Sequence, residues 1–299
     1  MSEETKSHHD VPRRAILTGG AVATATLAAG AAMANSMNPE PAPTGMNPNG
    51  RFAGKVIAVT GGNSGIGEAA VRAFAMEGGK VLFGARRDAL GQSVEADIRA
   101  AGGDVTWLQT DVRDPAQVER FVATTVDTYG RLDVIFNNAG IFMTPGQIED
   151  IDVANFQDMM ETNVNGVFYG MKYAIPVMKT QGGGVIVNTA SVASHKAFFP
   201  TTIHYVASKH AVLGLTRSGA ALAADNIRVV SISPLAVDTP MLQESFAFQG
   251  ITYEAVAPNL RTPRIMHVHE MAQAVLFLAS DAATAFNGAD YDVTGGELG

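Results

Sequence analysis

The chain has 299 residues, 46% of them hydrophobic and 17% charged, which is enough apolar material for one large buried core. Its net charge of −8 and sequence pI of about 5.3 leave no basic footprint for nucleic acid. With no cysteine, disulfides, thiolate catalysis and cysteine-held metals are excluded.

In chain order, Arg13 and Arg14 precede a mild Ala/Gly/Thr-rich stretch over 15–34. It closes on Ala32, Met33 and Ala34, a small-x-small site of the signal-peptidase kind. Residues 1–34 therefore resemble a twin-arginine export signal, implying a periplasmic protein with no membrane contact after cleavage. A retained anchor over 15–34 or a plain tail are the alternatives. Residues 35–50 hold four prolines and four asparagines and are expected to form a flexible linker. A single domain is expected over 51–299.

Strands and helices then alternate. Strands are expected at 56–60, 80–85, 105–109 and 134–137, and helices at 65–77, 88–101 and 115–129. Further on, helices are expected at 155–178, 202–223 and 270–279, and strands at 185–189, 227–233 and 289–293. Such alternation points to an α/β, doubly wound parallel sheet with ligands at the strands' carboxyl ends.

Between the first strand and helix runs Thr60, Gly61, Gly62, Asn63, Ser64, Gly65, Ile66, Gly67. Glycines here permit a tight turn and let a pyrophosphate approach the helix N-terminus, whose free N–H groups attract phosphate. After the second strand, Ala85 stands where an NAD site usually places an acid, and Arg86 and Arg87 follow. Guanidinium groups suit a 2′-phosphate, so NADP is expected over NAD. Asp111 could accept from the adenine amino group, with Val112 beside the ring. Asn137, Asn138, Ala139 and Gly140 suit a backbone running along the cofactor.

Tyr205 and Lys209 stand one helical turn apart. A free phenol has a pKa of ~10, and a nearby ammonium is expected to lower it toward the range of a useful acid or base. Ser191 could donate to a substrate oxygen, with Ser194 as fallback.

Together these residues give the chain its resemblance to the short-chain dehydrogenase/reductase family over about 52–299. The glycine motif, Asp111, Asn137 to Gly140, Asn163, Ser191, Tyr205, Lys209, the run from Pro234 to Met241, and Gly295 with Gly296 all take part. The resemblance implies a seven-stranded Rossmann sheet and hydride transfer between NADP(H), or less favourably NAD(H), and a CH–OH/C=O substrate. It implies that Asn163 supports a proton relay through water. Val237 and Thr239, after Pro234, would contact the nicotinamide. It also implies a homotetramer or homodimer on the helices from Asn155 and Thr202. Leu235 replaces the usual glycine, and the Ser191–Tyr205 spacing is one residue longer. These departures leave open a non-catalytic nucleotide sensor; an epimerase or dehydratase is the other alternative.

Residues 241–261 show no strong pattern and are expected to form a lid. Phe142, Met143, His195, Phe198, Phe199 and His204 are candidate rim residues around a hydrophobic substrate. His267 and His269 lack an evident third ligand, so no metal is expected.

Overall fold

The computed structural model describes residues 45–197 and 201–299. The expected signal sequence, residues 35–44 of the linker, and Phe198 and Phe199 lie outside them. No helix among the described residues is long and apolar enough to cross a membrane.

Seven parallel strands form one sheet in the order β3-β2-β1-β4-β5-β6-β7. They are β1 (Val56–Thr60), β2 (Lys80–Ala85), β3 (Val105–Gln109), β4 (Val134–Asn137), β5 (Gly184–Thr189), β6 (Ile227–Pro234) and β7 (Asp290–Val293). The helices are α1 (Gly65–Met76), α2 (Asp88–Ala100), α3 (Pro115–Tyr129), α4 (Val153–Met160) and α5 (Gly166–Gln181). After them come α6 (Ile203–Gly219), α7 (Pro240–Gln249), α8 (Tyr253–Val256) and α9 (Val268–Ala279).

β1 and β4 are apolar up to their last residues, Thr60 and Asn137, because both faces are covered. Successive side chains alternate sides. Ile57, Val59 and Phe83 join a core with Val71 and Phe74 of α1 and Val275 and Leu276 of α9. Ala58, Leu82 and Ile135 join the opposite core with Phe121 of α3, Met171 and Met178 of α5 and Val212 of α6. Strand order reverses between β1 and β4, and a crevice opens there at their carboxyl ends.

Local chemistry sets the helix limits. Asp114 caps α3 by accepting from Ala116 N at 2.9 Å, Pro115 occupies the first helical position, and Gly130 ends the helix at φ +84°. The long helix expected over 155–178 is present over 153–181, with a π turn at Glu161–Asn165 joining α4 to α5. Residues 220–223, expected as the end of a helix, belong instead to a 3₁₀ turn over Ala220–Asp225 that closes on Asn226 at φ +57°.

The expected linker also extends too far. Met46 packs against the α1 core, and Asn47 N donates to Met76 O at 2.6 Å. Proline and asparagine content marked this stretch as loop, but a loop can still be pinned by backbone hydrogen bonds.

One buried acid holds the start of β1. Asp133 Oδ2 accepts from Val56 N at 2.8 Å, and Arg131 forks onto both carboxylate oxygens at 2.6 and 2.8 Å. Asp133→Ala leaves the buried Val56 N–H without this partner and is expected to cost about 1–3 kcal/mol. A lower urea midpoint at unchanged m-value checks this, and an unchanged midpoint refutes it.

Candidate active site

The glycine turn leaves β1 with Gly61 at φ +68° and enters α1 with Gly65 at φ +56°. Gly67 is already helical, and its role is steric. A Cβ there would lie 2.2 Å from Gly61 O and 2.5 Å from Asn138 Nδ2. Thus α1 starts hard against the turn. Its N-cap, Ser64, makes no capping bond with its side chain. Ser64 Oγ instead accepts from Arg87 Nη2 at 2.7 Å. The first N–H groups of α1 stay available to an anion in the crevice.

Gly61, Asn63, Ser64, Gly65 and Ile66 line this crevice, together with Arg86, Arg87, Asp111 and Val112. Asn138, Ala139, Gly140, Pro234, Val237 and Thr239 line it further along. Thr60 and Gly67 stand behind the wall rather than in it. Thr60 Oγ1 accepts from Asn138 N and Ala139 N, both at 3.1 Å, and so aligns the β4 exit with the turn. Asn137 is fully enclosed, with its Nδ2 donating to Asn188 Oδ1 at 2.9 Å. Thr239 caps α7 by accepting from Leu242 N at 3.2 Å. Its methyl sits 3.2 Å from where a Gly65 Cβ would be, closing the crevice over the turn.

Asp111 is more engaged than the sequence implied. Arg113 grips its carboxylate with Nε at 3.0 Å and Nη2 at 2.6 Å, and reaches Asp158 Oδ1 on α4 at 2.7 Å. Burial pushes the Asp111 carboxyl up, but the Arg113 hydrogen bonds outweigh this and hold it below its ordinary value.

α6 carries Tyr205 and Lys209 into the crevice one turn apart. Lys209 Nζ donates to Thr189 O at 2.8 Å and lies 5.6 Å from the centre of the Tyr205 ring. Burial pushes Lys209 down to about 8. Burial also pushes the Tyr205 phenol up, and a hydrogen bond with Ser191 pulls it back. The phenol therefore sits above its ordinary value, where a lowering was expected. Desolvation dominates, and the hydrogen bond with Ser191 acts against it. Phe142 meets the Tyr205 ring edge-on at 5.0 Å.

Ser191 lines the crevice and caps the 3₁₀ turn Val192–Ser194, accepting from Ala193 N at 3.1 Å. The fallback, Ser194, turns into the core and donates to Lys209 O at 2.8 Å. Asn163 sits one layer behind the crevice in the π turn. Its Oδ1 accepts from Ile141 N at 2.7 Å, and its Nδ2 donates to Ile141 O at 3.0 Å and to Ser208 Oγ at 3.1 Å. Gly140 passes close by: a Cβ there would be 3.2 Å from Asn163 Oδ1 and 3.7 Å from Lys209 Nζ. Thr162, one residue earlier, lines the crevice, and its buried Oγ1 has no partner among the described residues. Nothing in the sequence marked Thr162, because a π turn shifts which residues share a face.

The lid is helical, contrary to expectation. Its apolar residues Met241, Leu242, Phe246, Ala247 and Phe248 are interspersed with Gln243, Glu244 and Ser245 around α7, so it has no amphipathic period to detect. The readable signals were its ends: Thr239, Pro240 and Gly250 at φ +66°. Met241, Leu242 and Phe246 of α7 face the crevice with Ile251, Val256 and Leu260 beyond it. Tyr253 packs edge-on against Phe246 at 5.5 Å, and its hydroxyl donates to Asp238 Oδ1 at 2.7 Å. Phe248 is 62% exposed on the outer face.

Of the other rim candidates described, only Phe142 lines the crevice. Met143 lies outside its lining, His195 is bonded to Asp290, and His204 is fully buried with both ring nitrogens unpartnered among the described residues. His267 and His269 stack at 5.6 Å, and His267 caps α9. No group of three metal-ligating side chains occurs among the described residues.

A family model described as Enoyl-(Acyl carrier protein) reductase matches residues 61–297. The mitochondrial borneol dehydrogenase of Lavandula x intermedia is 37% identical over 248 residues, covering 82% of this chain and 91% of its own. The chain belongs to the short-chain dehydrogenase/reductase family. A solved levodione reductase superposes with a TM-score of 0.79 at 34% identity, covering 83% of this chain and 98% of that one. A 3-ketoacyl-(acyl-carrier-protein) reductase from Brucella melitensis, complexed with NADH, superposes at 0.72 with 31% identity over 81% and 98% of the two chains.

This short-chain dehydrogenase/reductase is an NAD(P)-dependent oxidoreductase of CH–OH donors. The residues present fit such a dinucleotide. The uncapped start of α1 offers donors to phosphate, and Gly61, Gly65 and Gly67 let the turn, α1 and the neighbouring backbone close up around it. When bound, the nicotinamide supplies or receives the hydride.

Proposed function

We propose that the enzyme transfers hydride between NADP(H) and an apolar secondary alcohol or ketone. The observation that carries the cofactor choice is the pair Arg86 and Arg87 on the crevice wall after β2, with Ala85 in place of an acid. Arg87 is already oriented by Ser64. A 2′-phosphate beside these guanidinium groups gains charge-assisted hydrogen bonds that a 2′-hydroxyl does not. The apolar substrate follows from Phe142, Met241, Leu242 and Phe246 over Tyr205. The names of the borneol and levodione relatives are in keeping with it.

In this reading Tyr205 gives or takes the proton at the substrate oxygen, and Ser191 donates a hydrogen bond to that oxygen. Lys209 holds the nicotinamide ribose, and Asn163, held by its hydrogen bonds with Ile141, positions the water of a proton relay from Lys209 to solvent. Export by the twin-arginine route and assembly into a dimer or tetramer belong to the same proposal. Exposed Phe156 on α4, Phe168 on α5 and Ile203 on α6 support the assembly, since each is a large apolar side chain on the helices concerned.

The test compares kcat/KM for NADP and NAD with borneol as the probe alcohol. NADP is expected to be preferred at least about tenfold, and Arg87→Ala to remove about 1.4 kcal/mol, or tenfold, from NADP alone. A tenfold preference for NAD in the unmodified enzyme rejects the arginine argument.

A further inference from the structure

Behind Ser191 lies a buried polar cluster that neither the nucleotide wall nor the lid uses. Asp290 begins β7, and its side chain is only 5% exposed. Its Oδ1 accepts from Ser231 Oγ at 2.5 Å. Its Oδ2 accepts from Ser233 Oγ at 2.7 Å and lies 2.7 Å from His195 Nε2. Both serines are fully buried on one face of β6.

Ser233 has a second acceptor. Its Oγ is 3.0 Å from Ser191 O. A hydroxyl carries one hydrogen, so Ser233 shares it between the Asp290 carboxylate and the Ser191 backbone. His195 directly follows the 3₁₀ turn that Ser191 caps. The short strap 191–195 is thus gripped at its first residue by Ser233 and at its last by Asp290. Its middle is held by the bond from Ser194 to Lys209 O. Lys196, next in sequence, donates to Glu297 O.

Burying a carboxylate is unfavourable unless its lone pairs are satisfied, and apolar side chains would fill the same place at no such cost. Here the satisfied acid reaches the strap twice, directly at His195 and through Ser233 at the Ser191 backbone. Were the strap to drift, the Ser191 hydroxyl would lose its register with Tyr205, and small misplacements of a positioned donor are costly to rate.

We propose that Asp290 and His195 are positioning residues that hold the Ser191 strap, and with it the Ser191 hydroxyl, in place against Tyr205. This rests on Ser191 as the donor to the substrate oxygen. The test uses His195→Leu and Asp290→Asn in the full chain. Hydrogen exchange of the strap amides is expected to quicken at least tenfold in both, with exchange in β1 and α1 unchanged.

With NADP and borneol as the probe pair, kcat is expected to fall at least tenfold while KM for NADP stays within twofold. His195→Gln, which keeps an N–H near the same place, is expected to recover most of the loss. On a Ser191→Ala background, His195→Leu is expected to cost less than twofold. Unchanged strap exchange, quickened exchange throughout the sheet, or a full tenfold loss on the Ser191→Ala background would each overturn the proposal. If no variant turns over the alcohol, the substrate reading fails, and the exchange measurement still decides the strap.

Discussion

Tyr205→Phe is expected to lower kcat by about 10²–10⁴-fold, the range supplied by a positioned acid or base. The substitution removes only the hydroxyl. The ring keeps its edge contact with Phe142 and its place beneath the Lys209 ammonium. Dinucleotide affinity should therefore stay within about twofold, since binding rests on α1 and the arginines rather than on the phenol. Steady-state kinetics beside a fluorescence titration of the reduced cofactor separates the two. A variant that retains a tenth of its turnover would falsify the assignment of Tyr205 as the proton carrier.

The same phenol predicts opposite pH behaviour in the two directions. Burial raises its pKa, so in the neutral range it holds its proton. Carbonyl reduction needs that protonated form, and its rate should be flat through neutrality. Alcohol oxidation needs the phenolate, whose fraction grows as pH rises, so its rate should climb. Lys209, pushed down to about 8 by burial, loses its charge as pH passes that value. A phenolate loses its nearest cationic support there, and the climb should flatten. Rates in both directions from about pH 6 to about pH 9 test this. Equal slopes would mean that another group carries the proton.

The sheet and the crevice were readable because parallel strands buried on both faces become continuous apolar runs. The glycine turn was readable because its three constraints are local: Gly61 and Gly65 at positive φ, and Gly67 against its own turn. Tyr205 and Lys209 share a face through helical spacing alone. What escaped notice lies far apart in sequence or breaks a period. Arg113 meets Asp158, and His195 meets Asp290, only through the fold. The π turn at Glu161–Asn165 exchanged Asn163 for Thr162 at the crevice wall. α7 hid because its apolar and polar residues are mixed around the helix with no period. Lys209 was assigned the tuning of Tyr205 from charge alone. Burial, which sequence does not measure, reverses the net direction.

Gly67→Ala is expected to weaken dinucleotide binding by about 10- to 100-fold with a modest loss of fold stability. The backbone at Gly67 is helical, so alanine brings no torsional penalty, and its intrinsic helix propensity is better by about 1 kcal/mol. The loss comes from space. The new methyl would sit 2.2 Å from Gly61 O, a backbone atom that cannot rotate aside. Either α1 backs away from β1 or the turn rises into the crevice, and both displace the N–H groups offered to phosphate. Overpacking of this kind costs about 1–3 kcal/mol, which becomes affinity at about 1.4 kcal/mol per tenfold. Gly214→Ala is the control. It is an exposed helical glycine of α6 with nothing within 4 Å of the added carbon. It should gain stability from propensity and leave binding alone. Should both variants bind the dinucleotide equally, α1 does not hold its phosphates.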